Sequence, residues 1–136
     1  MRYLGLDLGT KTLGLAISDR TGIIASFYDS FRYENEDELI SKINSIVDKE
    51  KIDVLVLGLP KNMNGSLGFR AEETISFKRR LEEVVKKQVV LQDERLTTRV
   101  ATDVLVDADM SRKKRKNVID GVSAVVILQS YLDRKE

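Results

Sequence analysis

Asp7 lies in the middle of the first apolar run, Tyr3 to Gly9, where a strand is expected to be hydrophobic. A carboxylate at such a position is costly to desolvate unless a cation or several hydrogen-bond donors meet it. Two interpretations are open at this point. The carboxylate either faces water or caps the Gly9-Thr10 turn, or it is a metal ligand held on a rigid strand.

Two further acidic positions stand out in the hydrophobic pattern. Asp93 and Glu94 closely follow an apolar trio, and Asp120 lies in the predicted opening turn of the most apolar segment of the chain. Acids at the carboxyl end of a strand are candidate functional groups, because α/β sheets place their ligand crevices there. A structural role is the alternative: Asp93 or Glu94 could pair with Arg95 or cap the next helix, and an acid suits a helix N-terminus.

The amino-acid composition narrows the chemistry that these acids could perform. The chain contains no histidine and no cysteine, which excludes imidazole catalysis, thiol nucleophiles, disulfides and the usual zinc sites. Catalysis would have to use carboxylates, lysine, tyrosine, hydroxyl groups or a bound metal. A site built only from oxygen ligands selects Mg²⁺ or Mn²⁺ over Zn²⁺.

Length and charge describe an ordinary globular domain, which we expect to span residues 1–136. The net charge is only +1, so affinity for a polyanion must come from local clusters of basic residues. No apolar stretch approaches the ~20 residues needed to cross a bilayer. We therefore expect a cytoplasmic protein that does not associate with membranes.

Hydrophobic periodicity predicts the elements that must position these acids. Short apolar runs bounded by turn residues predict strands at 2–8, 13–19, 23–31, 53–60 and 89–93. Apolar residues recurring every three to four positions predict helices at 36–51, 70–87, 97–109 and 118–132. Their composition predicts loops at 61–69 and 111–117.

The order of these elements predicts the fold class. Three successive strands indicate an antiparallel meander, and the later alternation of helices and strands indicates two further strands in parallel. We expect an α/β protein with a mixed five-stranded sheet and helices on both faces.

Five strings of the sequence are LDLGTK (6–11), VLGLP (56–60), NMNGS (62–66), DERLTT (93–98) and IDGVSA (119–124). In this order they resemble the YqgF family of the ribonuclease H-like superfamily, and the resemblance extends over essentially the whole chain. Proteins of that family are described as Holliday-junction resolvases and as nucleases acting on the 5′ end of pre-16S ribosomal RNA. The resemblance implies a ribonuclease H-like fold and hydrolysis of phosphodiester bonds.

The resemblance assigns catalysis and metal binding, position by position, to Asp7, Glu94 and Asp120, with Asp93 in support. It implies Mg²⁺ or Mn²⁺ as the cofactor. Two such ions ~3.5–4 Å apart can clamp a scissile phosphate, one activating water and the other stabilising the leaving oxygen. Asp7 would be the bridging ligand, and Glu94 and Asp120 would close the two sides.

Basic residues near these acids are candidates for binding the substrate. Lys11 could meet a phosphate or be a solvated turn lysine, and Arg95 could orient Glu94 or contact the substrate backbone. A basic run precedes the Asp120 helix and comprises Arg112, Lys113, Lys114, Arg115 and Lys116. A charge run is usually only solvated, but its place beside a phosphate-cutting site favours salt-dependent binding of nucleic acid.

The sequence does not decide whether the substrate of this nuclease is precursor ribosomal RNA or branched, four-way DNA. A junction resolvase is expected as a symmetric dimer. The sequence shows no obvious self-complementary apolar patch, which favours RNA and a monomer or weak homodimer.

Two other functions are weighed against the nuclease. The string 7–11 also resembles the phosphate loop of sugar kinases, actin and heat-shock ATPases. Those nucleotide-binding folds need two such domains around a cleft, and this chain supplies one. A catalytically inactive nucleic-acid-binding domain would be marked by loss of one acid, and all three are present.

Overall fold

The computed structural model describes residues 1–9, 11–59, 69–93 and 112–134, with only the backbone described at 69–71, 93 and 112–121. In chain order the elements are β1 (Tyr3–Leu8), β2 (Thr12–Ser18), β3 (Ala25–Arg32), α1 (Glu36–Glu50), β4 (Val54–Leu59), α2 (Phe69–Val85), β5 (Gln88–Asp93) and α3 (Arg112–Arg134). The helix predicted at 97–109 and most of the 61–69 loop lie outside the described residues.

The five strands form one mixed sheet in the order β3-β2-β1-β4-β5. The pairs β1–β2 and β2–β3 are antiparallel, and the pairs β1–β4 and β4–β5 are parallel. The predicted meander followed by two parallel strands is therefore confirmed. β1 is the central strand, and it ends at the same edge of the sheet as β4 and β5.

Side chains alternate between the two faces of the sheet along each strand. As a result, leucines lie on one face, which α1 and α2 cover. The strand residues Leu4, Leu6, Leu13, Leu15, Leu55 and Leu57 are fully buried against the apolar stripes of these two helices. α1 begins where the sequence predicts, because the Asn35 side chain accepts a hydrogen bond of 2.8 Å from the Glu38 backbone N–H.

The other face of the sheet is covered by α3. Ala124, Ile127, Leu128 and Leu132 form a second core with Tyr3, Ala16, Val54 and Val56. The rings of Tyr131 and Tyr3 lie 5.8 Å apart, and Leu128 lies against Gly5. α3 therefore runs antiparallel to β1, with its earlier residues towards the carboxyl end of that strand.

The close approach of α3 to β1 depends on Gly5. A Cβ atom at this position would lie 2.7 Å from the Leu128 Cβ and 3.1 Å from the Ala124 carbonyl oxygen. Any larger residue would force the helix away from the sheet.

The prediction of a basic loop at 111–117 is wrong, because α3 already begins at Arg112. The run was interpreted as a loop from its charge, but Lys and Arg are good helix formers and no Gly or Pro interrupts them. The prediction that Asp120 lies in the opening turn is wrong for the same reason. Asp120 is the ninth residue of the helix, in its third turn.

An exposed apolar patch occurs at the start of β3, where the sequence showed none. Ile23, Ile24 and Phe27 are all exposed. The strand was expected from residue 23, but the Asp19 carboxylate accepts hydrogen bonds from the backbone N–H groups of Ile23 (2.8 Å) and Ile24 (3.0 Å). These bonds hold both isoleucines in a turn outside the strand.

Across the described ranges, no helix is both long and apolar enough to span a membrane.

Candidate active site

Asp7 is the next-to-last residue of the central strand β1 and is half-buried. Because side chains alternate along a strand, Asp7 shares a face with Tyr3 and Gly5, which contact α3. The carboxylate therefore lies on the face of the sheet that α3 covers.

Both strands beside Asp7 present glycine at its level. Gly14 of β2 is its paired residue, and Gly58 of β4 follows Leu57, the partner of Leu6. Neither glycine has a side chain that would occupy the space next to the Asp7 carboxylate. The sequence alone did not show this, because it depends on the register of three strands.

The carboxyl end of β5 lies at the same edge as the end of β1. Asp93 is the last residue of β5 and pairs with Leu59 of β4. Glu94 is the next residue along the chain, and it lies outside the described residues, as does Arg95. Just before them, Gln92 is buried, and its Oε1 accepts a hydrogen bond of 2.7 Å from Arg134 Nη2 in α3.

α3 provides the backbone position of the third predicted acid. Position 120 precedes Ala124, Ile127 and Tyr131 by four, seven and eleven residues. Residues with this spacing lie on the same side of an α-helix. Ala124 and Ile127 belong to the core against the sheet, and Tyr131 packs against it. Position 120 thus continues the sheet-facing stripe of α3 towards the carboxyl end of β1.

Ser123 is a residue that sequence reasoning missed. Its side chain is 1% exposed, and its hydroxyl has no hydrogen-bond partner among the residues that the structure describes. No signal in the sequence distinguishes such a serine from a small residue chosen for packing.

Lys11 is exposed in the turn between β1 and β2. It lines a cleft of about 660 Å³ together with Gly9, Tyr33 and Arg80. This cleft also contacts Leu8 and Phe77, which pack in the core under α1 and α2. Lys11 therefore borders the face of the sheet opposite to the Asp7 carboxylate.

Of the three predicted ligands, only the Asp7 side chain is described. Within the described part of the chain, no three acidic side chains come close enough to hold a metal ion. The meeting of Asp7, Glu94 and Asp120 at one site stays a prediction, as do the roles of Asp93, Arg95 and the basic run 112–116.

The chain matches the family model described as RuvX, Holliday junction resolvase, over residues 1–134. It belongs to this family. A relative from Clostridium kluyveri is 47% identical over 134 residues, covering 98% of each chain. A relative from Geobacillus kaustophilus is 50% identical over 137 residues, covering 99% of each chain. Both are named as proposed pre-16S rRNA nucleases.

Solved structures of resolvases share the fold. The T. thermophilus RuvC in complex with a Holliday junction superimposes with a TM-score of 0.61 at 8% identity, covering 100% of this chain and 98% of RuvC. The fowlpox virus resolvase, also in complex with junction DNA, gives a TM-score of 0.61 at 16% identity, covering 98% and 97%. The predicted ribonuclease H-like fold is thereby confirmed.

Proposed function

We propose that this RuvX-family protein is a divalent-metal-dependent nuclease that hydrolyses phosphodiester bonds in precursor ribosomal RNA. The metal ligands are Asp7, Glu94 and Asp120. The observation that carries the proposal is the half-buried Asp7 carboxylate near the end of the central strand, between two glycine neighbours. Family membership and the names of the full-length relatives support nuclease chemistry.

The positions of the three acids in the fold support a common site. Asp7 and the end of β5, which Glu94 follows, belong to one edge of the sheet. Asp120 lies one helical turn before Ala124, whose carbonyl oxygen approaches Gly5. One acid from a central strand, one after a parallel strand and one on the covering helix would then share one site.

The donor set fits a divalent metal ion of the magnesium type. Mg²⁺ binds oxygen ligands and retains several waters, so it needs few carboxylates and some open space. Gly14 and Gly58 place no side chain beside Asp7, and the buried Ser123 hydroxyl has no hydrogen-bond partner among the residues that the structure describes. When bound, the metal would supply activated water and stabilise the leaving oxygen.

The chain's own residues would hold the substrate and its charge. The basic run 112–116 forms the first turns of α3, just before Asp120. Five cations next to the acidic site favour binding of a phosphate backbone. Lys11 and Arg95 are supporting candidates, although Lys11 borders the other face of the sheet.

Cleavage of four-way DNA is the second candidate activity, and the family description favours it. A resolvase makes paired cuts and needs two copies of its site. The exposed patch formed by Phe27 on the edge strand β3 and by Ile23 and Ile24 just before it offers an apolar surface for a second copy. The sequence favoured RNA because no apolar patch for a second copy was visible in it. The exposed patch removes that argument.

Substitution of Asp7 tests the proposal directly. Asp7→Asn should leave the fold intact and reduce cleavage by more than the ~10–100-fold typical of residues that only support a metal ligand. The measurement is cleavage of labelled precursor RNA and four-way DNA side by side, with Mg²⁺, Mn²⁺ or a chelator. Asp29→Asn, the same change on the exposed edge strand β3, is the control. Normal metal-dependent cutting by Asp7→Asn would refute the assignment.

Neutralising the basic run tests substrate binding. Glutamine at 112–116 should flatten the dependence of log affinity on log salt by about 0.7 for each lost contact with single-stranded nucleic acid. The same charge change at the opposite edge of the sheet is the control, using the exposed residues Arg20, Lys49, Lys51, Lys86 and Lys87. Equal slopes for the two variants would show that the run has no special role.

A further inference from the structure

Apolar side chains cluster on the surface where β2 turns into β3. Of the five large apolar side chains that are exposed in the described ranges, three belong to this short stretch. This turn patch consists of Ile23 (63% exposed), Ile24 (61%) and Phe27 (56%). Single exposed apolar residues are normal on a protein surface, whereas a cluster of them marks an interaction site.

The backbone that carries the two isoleucines is fixed from both sides. The Asp19 carboxylate accepts hydrogen bonds from the N–H groups of Ile23 (2.8 Å) and Ile24 (3.0 Å). From α3, the Gln129 side chain donates to the Ile23 carbonyl oxygen (2.9 Å) and accepts from the Ala25 N–H (2.9 Å). A partner that binds the turn patch therefore has little backbone to order, and this favours association.

The backbone of the edge strand β3 is poorly suited to pairing with a further strand. A β-bulge at Tyr28 interrupts its pairing with β2, and the charged side chains of Asp29 and Arg32 are exposed along it. Bulges and charges are features by which edge strands avoid pairing with other chains. A partner is therefore expected to contact the side chains of the turn patch without extending the sheet.

Charges of both signs border the turn patch. Arg20 precedes the isoleucines in the same turn and is exposed. Asp133 of α3 is also exposed, and it accepts a hydrogen bond of 2.9 Å from the Gln129 amide that bonds to the Ile23 carbonyl oxygen. Neither Arg20 nor Asp133 forms an ion pair with another residue that the structure describes.

This charge pattern selects among the possible partners. A nucleic acid or an anionic membrane would attract Arg20 but repel Asp133. A second copy of the chain presents both signs. In a two-fold interface the same surface faces itself, so a cation on one side of the patch can meet the acid of the other copy.

We propose that two copies of the chain associate through the turn patch. The apolar residues pack across a two-fold axis, and Arg20 of each copy pairs with Asp133 of the other. Three exposed side chains form a small interface, so the association is weak and depends on concentration. The inference does not depend on the proposed metal chemistry.

The position of the turn patch leaves the candidate active site of each copy open. Ala25, next to the patch, pairs with Ser18, whose hydroxyl accepts a hydrogen bond of 2.8 Å from the Tyr3 N–H at the start of β1. Asp7 lies four residues further along β1, about 13 Å away at the usual rise of a strand. The dimer therefore contains two separate sites, as paired cuts in four-way DNA require.

Analytical ultracentrifugation tests the interface without measuring cleavage. The wild type should show a dimer population that rises with concentration. Ile24→Ser should weaken the dimer Kd by about 10-fold or more, because a two-fold interface loses the side chain twice. Phe27→Ser should have the same effect. Val84→Ser removes an exposed apolar side chain from α2 and is expected to change nothing.

Exchanging the two border charges tests whether the partner is a second copy. Arg20→Asp and Asp133→Arg should each weaken the dimer by about 3- to 10-fold, because like charges then face each other. The double variant Arg20→Asp/Asp133→Arg should recover most of the affinity. The control double variant Arg20→Asp/Asp48→Arg has the same net charge, but its new cation lies on α1, and it should not recover.

The possible results separate the interface from the proposed nuclease. A wild type that stays monomeric up to about 1 mM, or equal weakening by Val84→Ser, would overturn the inference. Failure of the exchanged pair to recover would overturn the two-fold arrangement. Binding of the wild type to phosphatidylglycerol vesicles, lost in Ile24→Ser, would assign the patch to a membrane surface instead. Metal-dependent cleavage by monomeric Ile24→Ser would leave the proposed nuclease intact.

Discussion

The two faces of the sheet are built from the same strands but carry different kinds of side chain. Towards α1 and α2, strands β1, β2 and β4 present only leucine at their central positions, and all six of these leucines are fully buried. Towards α3, the same strands present Gly5, Gly14, Gly58 and the Asp7 carboxylate. Gln92 of β5 and Ser123 of α3 add further polar groups to this face.

The two faces of the sheet therefore contribute differently: the leucine face contributes mainly to stability, and the other face carries the candidate functional groups. Leucines that interdigitate with two helices bury a large apolar area and hold the strands in register. Glycines bury little, but Gly5 lets α3 approach β1, and Gly14 and Gly58 place no side chain beside Asp7. The α1–α2 face therefore carries most of the buried apolar area, and the α3 face carries the polar groups on which the proposed metal site depends.

The largest effect on stability is expected from the α1–α2 face. Leu57→Ala should lower the free energy of unfolding by about 2–5 kcal/mol, because it leaves a cavity in the main core. Denaturant titration measures this change, and Val84→Ala on the exposed surface of α2 is the control. A loss below about 1 kcal/mol would contradict the idea that this face carries the stability.

The second-largest effect on stability is expected at the contact between α3 and β1. Gly5→Ala should cost about 1–3 kcal/mol, because its Cβ would lie 2.7 Å from the Leu128 Cβ and the helix must move. The same movement displaces Asp120, so metal affinity should fall as well. In a double-mutant cycle, Leu128→Ala should recover part of the cost of Gly5→Ala. Strictly additive effects would show that this contact does not set the position of α3.

A smaller effect is expected at the link between α3 and β5. Arg134→Gln removes the donor to the buried Gln92 oxygen and should lower the free energy of unfolding by about 1 kcal/mol. Arg79→Gln, the same change on an exposed position of α2, should have almost no effect. If the two variants have the same free energy of unfolding, the hydrogen bond does not stabilise the contact between this side of α3 and the sheet.

The smallest effect lies outside both faces, in the turn after β2. The Thr21 hydroxyl and the backbone N–H groups of Ile24 and Ile23 donate to Asp19 and hold the pKa of its carboxyl well below its usual range. Because the folded-state pKa is lowered, this stabilisation is complete above about pH 4 and is lost as the pH falls further. The unfolding free energies of wild type and Asp19→Asn should therefore converge below pH 4. A constant difference down to pH 2.5 would contradict the prediction.

Most of the fold could be predicted because its signals are local. Alternation in β1, β2 and β4 and the apolar stripes of α1 and α2 predicted the elements, and their order predicted the mixed sheet. The start of α3 was missed because a run of like charges was taken as a loop, although Lys and Arg are compatible with a helix. The turn at Ile23 and Ile24 was missed because it depends on hydrogen bonds to the Asp19 carboxylate.

The candidate site could be predicted only in part. Asp7 is visible in the sequence as a charge within an apolar strand, and the family strings identify Glu94 and Asp120 as its expected partners. The sequence does not reveal the glycines beside Asp7 or the burial of Ser123, whose hydroxyl has no partner in the part of the chain that the structure describes. They depend on the register between strands and on which side of α3 meets the sheet.

The order of apolar and polar residues by itself determined the kinds of most elements, the presence of an acid within the first strand and the family. These properties arise from short-range periodicity and from motifs that keep their spacing along the chain. Only the tertiary structure decided that Asp7 shares a face with α3, that glycines flank it and that the buried Ser123 hydroxyl has no hydrogen-bond partner among the described residues. The reason is that strands from distant parts of the chain, and the helix laid across them, must come together before those neighbours exist.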